Sequence, residues 1–136
     1  AEVFKIDLQP KDILITSDTV VWHKNESLAK AEDSDEAEHM LKKLSGDWHQ
    51  VISSVCFTTT ERQIVQHSIT EVKFKNLSEE EIRHYIKEYQ PFDKAGAYGI
   101  QEWIGLIGIE KIKGSYTNVV GLPTQLVYET LSLLVT

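Results

Sequence analysis

The chain has 136 residues, enough for one domain with one core and too few for two ordinary ones. Hydrophobic residues make up 41% and charged residues 26%, a globular balance rather than a disordered one. The formal net charge of -7 weighs against a broad basic face for nucleic acid, and no apolar run approaches the ~20 residues of a membrane span. A pocket for a small anion stays open, because it needs only two or three local cations. Cys56 is the only cysteine, which excludes an internal disulfide and predicts a reducing, cytoplasmic compartment. Within Val55-Cys56-Phe57 it reads as core filler rather than a nucleophile.

Residues 1–12 read as the tail of a helix and a turn around Pro10. From Ile13 to Trp22 the run ILITSDTVVW has the composition of a strand buried on both faces. Asp18 stands in its middle, where an ionised carboxylate without a partner would lose its solvation. Asp33, with Glu36 three residues on, predicts a helix start of the capping-box type. Ala37, Met40, Leu41 and Leu44 follow at helical spacing, and Gly46 is placed to end the helix. Residues 51–60 and 63–75 read as strands joined through Glu61-Arg62 into an antiparallel hairpin. A parity break between Ile69 and Val72 predicts a bulge in the second. Ser78 with Glu81 forms a capping box, and Leu77 with Ile82 a hydrophobic staple. Ile82, Tyr85, Ile86 and Tyr89 line that helix's buried face until Pro91 stops it. WIGLIGIEKI, residues 103–112, reads as a strand whose glycines admit close packing. The last helix starts at Pro123 and carries Leu126, Val127, Leu131 and Leu134. The order β-α-β-β-α-β-α predicts one α/β domain, a mixed twisted sheet with flanking helices.

Three segments carry candidate chemistry. Ligands of open α/β sheets bind beyond the strand ends. If the buried part of the first strand is 13–16, then Ser17, Asp18 and Thr19 lie at its rim, with Val20 to Trp22 running into an adjoining lobe. Asp18 then faces a cleft, where Mg²⁺ or a substrate cation compensates it; the other reading is a structural Asp that accepts backbone N–H bonds at a strand break. The second segment, PFDKAGAYGIQEW at 91–103, places small residues for close backbone approach and rings them with Asp93, Lys94, Gln101 and Glu102. The Gln101 amide offers a donor and an acceptor to a base edge, although the segment also reads as a glycine-containing turn with solvated charges. The third, GSYTNVVGLP at 114–123, ends at a helix start, which either holds an anion or simply connects. The histidines at 23, 39, 49, 67 and 84 show no metal spacing and read as surface or hydrogen-bonded core, and the acidic cluster from Glu32 to Glu38 reads as solvated charge.

Together these segments resemble the Maf family, also called septum formation inhibitor Maf proteins, of nucleoside triphosphate pyrophosphatases. SDTVVW looks like the family's A-D-T-[IV]-V segment, LAK at Leu28 to Lys30 like its G-K-P, and MLKKLSGDWHQVISSV like its helix and following strand. PFDKAGAYGIQEWIGLIGIEKIKGSYTNVVGLP is the most specific part, and the glutamine after AYGI looks like the subfamily acting on dTTP and UTP. Ala31 stands where the family usually has proline, and Ser53-Ser54 where it has Thr-Gly.

The resemblance implies a Maf-like α/β fold with a cleft between two lobes, and hydrolysis of a pyrimidine nucleoside triphosphate, modified ones included, to the monophosphate and pyrophosphate. It makes Asp18 the general base and a ligand of Mg²⁺ or Mn²⁺. Thr19 and Gln101 help select the base, Lys30 contacts phosphates, and Asp93 and Lys94 belong to the substrate site. It also implies a homodimer, with Trp103 and its apolar neighbours as a contact. Family members open with a strand, an S-x-S-P-R-R loop and a helix; this chain's arginines are Arg62 and Arg83, outside any such loop. The expectation is one Maf-like domain over 1–136, incomplete at its N-terminus and with little turnover by itself. The alternative is a non-catalytic nucleotide-binding or dimeric regulatory module that lacks the arginine loop.

Overall fold

The computed structural model describes residues 9–135. The helix tail expected at the start of the chain lies outside that range. The turn at Pro10 is present: Asp12 N–H donates to Gln9 O (2.9 Å), and the Asp12 carboxylate accepts from Gln9 N–H (2.9 Å). The described elements are β1 (Leu14–His23), β2 (Glu26–Leu28), α1 (Ser34–Leu44), β3 (Trp48–Thr58), β4 (Gln63–Phe74), α2 (Glu79–Tyr89), α3 (Trp103–Gly108), β5 (Ile109–Lys113), α4 (Tyr116–Val120) and α5 (Thr124–Leu134). This is the expected α/β architecture of one sheet with flanking helices.

The sheet runs in the order β2-β1-β3-β4-β5, and every described pairing is antiparallel. β1, β3 and β4 form a long ribbon; β2 covers only Val21–His23 of β1, and β5 only Glu71–Phe74 of β4. The Leu14–Val20 stretch of β1 is therefore a sheet edge among the described residues. In β3 the residues His49, Val51, Ser53, Val55 and Phe57 are buried, and those between them are half-exposed. One face is covered and the other open, the usual state of an antiparallel sheet.

Several expectations are corrected by that arrangement. β1 is not buried on both faces: only Val21 and His23 are buried in it, and Asp18 is exposed. No break separates Thr16 from Val20, since β1 pairs with β3 without interruption from Leu14↔Thr58 to Trp22↔Gln50. The bulge expected near Ile69 is absent from the β3–β4 ladder, which keeps register from Thr58↔Gln63 to Trp48↔Lys73. Ile69 is 57% exposed on the open face, so it needs no change of parity to reach the core. Cys56 is half-exposed on that same face rather than core filler, since it alternates with buried Val55 and Phe57.

The helices cover the other face. α1 is capped by Asp33, which accepts from Glu36 N–H (2.8 Å), while Glu36 reaches back to Glu32 N–H rather than to the cap. α2 has the full capping box of Ser78 and Glu81. Leu41, Leu44, Val51, Phe74, Ile82, Tyr85 and Ile104 share one core, where burying each such side chain contributes about 1.5–3 kcal/mol. Tyr89 is not buried with them; it lies 40% exposed and stacks on Tyr85. Residues 103–112 split into α3 and β5 instead of one strand. A short apolar run does not distinguish helix from strand, and Gly105 lies so close to the Ile100 carbonyl that a Cβ there would clash with it. Trp103 is half-buried and packs edge-on against His84. None of the described helices is long and apolar enough to cross a membrane.

His49 illustrates the hydrogen-bonded core histidine. It is buried against Phe74, and its Nε2 bonds the Tyr98 hydroxyl at 2.6 Å. Burial pushes its pKa down to about 4, and neighbouring His23 adds to the effect. Between about pH 6.5 and 4 the unfolded chain binds a proton here that the folded chain does not, so stability falls as pH drops through that window. Denaturation curves at pH 7 and pH 5 should differ by about 2 kcal/mol, with His49→Gln flattening the difference. Asp47, held low by its hydrogen bond with His23, and Glu81, held low by Lys75, lose their contributions only at lower pH.

Candidate functional site

A cleft of about 470 Å³ opens beside β1. Its first wall is β1 itself, with Ser17, Asp18, Thr19 and Val21. Alternation directs Thr19 and Val21 to the covered side of the sheet, opposite Ser53 and Val51, while Asp18 is paired with Ser54. The Asp18 Oδ1 atom accepts Thr19 N–H at 3.0 Å. One carboxylate oxygen thus has a backbone partner within a continuous strand, while the residue lines the cleft at its rim.

The second wall is the C-terminal turn of α4, Val119 to Gly121. Hydroxyls from the sheet hold it. Ser17 Oγ donates to Gly121 O (3.0 Å), Thr19 Oγ1 donates to the same oxygen (3.4 Å) and lies 2.9 Å from Ser53 Oγ, and Ser53 Oγ donates to Asn118 O (3.2 Å). Beneath them the fully buried Asn118 turns its Nδ2 toward Val51 O (3.2 Å), Ser68 O (2.9 Å) and Thr70 Oγ1 (2.8 Å).

The third wall is the loop from Asp93 to Glu102. It is laid onto β2 by a hydrogen bond from Gly96 N–H to Leu28 O (3.0 Å) and by an antiparallel bridge between Lys30 and Ala95. Gly96 has a φ of 69° and touches the Val21 side chain, so a larger residue there would be strained and would push on the cleft floor. Lys94 Nζ lies 3.4 Å from Asp93 Oδ1. Asp93 is held below the usual carboxylate range by its own backbone N–H, then by Lys94 and Lys30.

Among the described residues the lining carries two lysines, Lys30 and Lys94, against three carboxylates, Asp18, Asp93 and Glu102. Such a lining does not by itself neutralise a polyphosphate. Among the described residues no group of three His, Cys, Asp or Glu side chains is arranged to hold a metal ion. Mg²⁺ needs no all-protein cage and commonly binds through one or two carboxylates, a donor type that this lining holds in Asp18, Asp93 and Glu102.

A model of the Maf-like protein family matches residues 1–134. The chain belongs to the Maf family. The dTTP/UTP pyrophosphatase of Flavobacterium johnsoniae is 51% identical over 135 residues, 99% of this chain and 70% of that protein. The protein of that name from Flavobacterium psychrophilum is 57% identical over 128 residues, covering 94% and 66%. A third, from Bacteroides fragilis, is 48% identical over 134 residues, covering 98% and 69%. The chain spans about two thirds of the length of these relatives.

In this Maf chain the structure brings all six residues singled out from the sequence, Asp18, Thr19, Lys30, Asp93, Lys94 and Gln101, to the one cleft. The third segment joins them through Val119–Gly121, as a wall held by hydroxyls rather than as a helix N-terminus. Asn118 and Ser53 are the organising residues that sequence reasoning missed. The only signal for Asn118 was an amide beside an apolar pair; Ser53 offered none, because a serine in a strand reads as solvent-facing until its register is known.

Proposed function

We propose that the complete protein hydrolyses dTTP or UTP to the monophosphate and pyrophosphate. The observation that supports the reading is the convergence of six residues from three separated stretches of chain on one cleft, in a protein whose relatives carry that activity in their names. Water attacks the α-phosphorus, its proton passes to Asp18, the bond to the bridging oxygen breaks and pyrophosphate leaves. Lys30 and Lys94 meet phosphate as point charges. Thr19, whose hydroxyl is engaged with Gly121 and Ser53, acts on base selection through the shape of the α4 wall. A divalent ion, Mg²⁺ or Mn²⁺, held by Asp18 and the phosphates would offset phosphate charge. A homodimer is part of the same reading.

The test is kcat/KM for dTTP, UTP, CTP, ATP and GTP with either ion, measured on full-length protein. The two named nucleotides should lead, and Gln101→Ala should reduce their preference about tenfold while lowering the maximal rate less. A base that leaves polar groups unpaired loses roughly that much binding energy. An equal fall for all five would remove Gln101 from base selection. Saturable binding without pyrophosphate release would favour the non-catalytic module.

A further inference from the structure

Helix α2 sends the Tyr85 hydroxyl to the loop that forms the third wall of the cleft. Tyr85 is fully buried in the core, yet its hydroxyl emerges at the loop that carries Gln101. There it donates to Glu102 Oε1 and accepts Gly99 N–H at 3.1 Å. Residues 99–102 also close a turn through backbone, Glu102 N–H donating to Gly99 O at 3.0 Å. Within the turn Ile100 is buried and Gln101 is exposed toward the cleft. One phenol oxygen therefore pins both ends of the turn whose tip is the proposed base reader. A side chain at position 99 would meet the Lys94 side chain and Glu102 Oε1, so the start of the turn packs directly against the carboxylate that Tyr85 holds. Burial first, and then the Glu102 carboxylate, raise the Tyr85 pKa, so the hydroxyl keeps its proton and remains a donor.

Rigidity matters here for a chemical reason. The two ends of a glutamine amide are nearly the same shape, one a donor and one an acceptor. A loosely held amide can rotate and satisfy either uracil, whose N3 donates and O4 accepts, or cytosine, whose N3 accepts and N4 donates. Discrimination between them needs the amide to be presented in one place.

We propose that Tyr85 and Glu102 form a clamp that positions Gln101, so that Tyr85, buried behind the loop, is a positioning residue for choosing uracil over cytosine. This rests on the functional reading above. Such a clamp predicts a distinctive mutational pattern. Tyr85→Phe removes only the hydroxyl, and Glu102→Ala removes its acceptor; each should cut the preference for UMP over CMP about tenfold, and the double variant should lose no more than either. Glu102→Gln keeps an acceptor oxygen and should retain most of the preference. The measurement is calorimetric binding of UMP and CMP to full-length protein, with thermal denaturation of each variant alongside. If Tyr85→Phe is too unstable to assay, Glu102→Ala and Glu102→Gln on the loop decide the matter. Wild type that binds both nucleotides equally would overturn the functional reading together with this inference. Wild type that prefers UMP while Glu102→Ala keeps the same preference would overturn the clamp alone.

Discussion

Asp18→Asn should lower pyrophosphate release from dTTP and UTP by a factor of about 10² to 10⁴ and leave the fold intact. Asparagine has the same shape and can keep an oxygen for the Thr19 N–H, the hydrogen bond that the Asp18 side chain makes among the described residues. What it loses is the negative charge and the ability to take a proton. The substitution thus separates the two things an aspartate could do at this position. A structural aspartate that only accepts a backbone N–H would tolerate it. A base in the cleft would not. Steady-state turnover of the full-length variant within about threefold of wild type would exclude Asp18 as the base, given the usual size of such effects. The denaturation midpoint should be unchanged, because Asp18 is exposed and lies on the strand edge away from the core.

Asn118→Ala should destabilise the protein by about 3 kcal/mol, from loss of a donor to buried acceptors together with the small cavity left behind. Asn118 is fully buried, and its Nδ2 is the contact between α4 and the carbonyls of Val51 and Ser68 on β3 and β4. Alanine leaves those carbonyls, and the hydroxyl of Thr70, without the amide. Because Ser53 holds the Asn118 carbonyl and Ser17 and Thr19 hold the Gly121 carbonyl of the same turn, loosening it should also widen the cleft and raise KM more than it lowers kcat. Urea denaturation with an unchanged m value measures the first effect, and steady-state kinetics the second. A loss below about 1 kcal/mol would mean that the strands satisfy their carbonyls elsewhere and that α4 is held by its hydroxyl contacts alone.

The candidate site was more legible than the sheet that supports it. Short motifs such as SDT, LAK and AYGIQ carry chemical identity in consecutive residues, so their members could be named before anything was known of their positions. α1 and α2 were likewise readable, because capping is a contact between residues three apart and helical burial has a period short enough to see in one segment. β1 was misread in its environment rather than its type. Strand propensity is local, but whether a strand is covered on one face or two depends on partners far away in the chain, here β3 some thirty to forty residues on. The supposed bulge in β4 arose the same way, from assuming that Ile69 must be buried when the open face leaves it exposed.

By itself, then, the sequence determined α1, α2 and α5, the hairpin and the residue types available for chemistry, since each depends on neighbours within a few positions. Tertiary structure alone decided which of those residues meet. Ser17 and Gly121 are 104 residues apart, and Tyr85 lies 14 and 17 residues from the two ends of the turn it pins. No local pattern records such pairings. A hydroxyl in a strand or on a helix looks the same in sequence whether it faces water or holds a loop, and only the packing of the sheet against α2 and α4 gives it a partner.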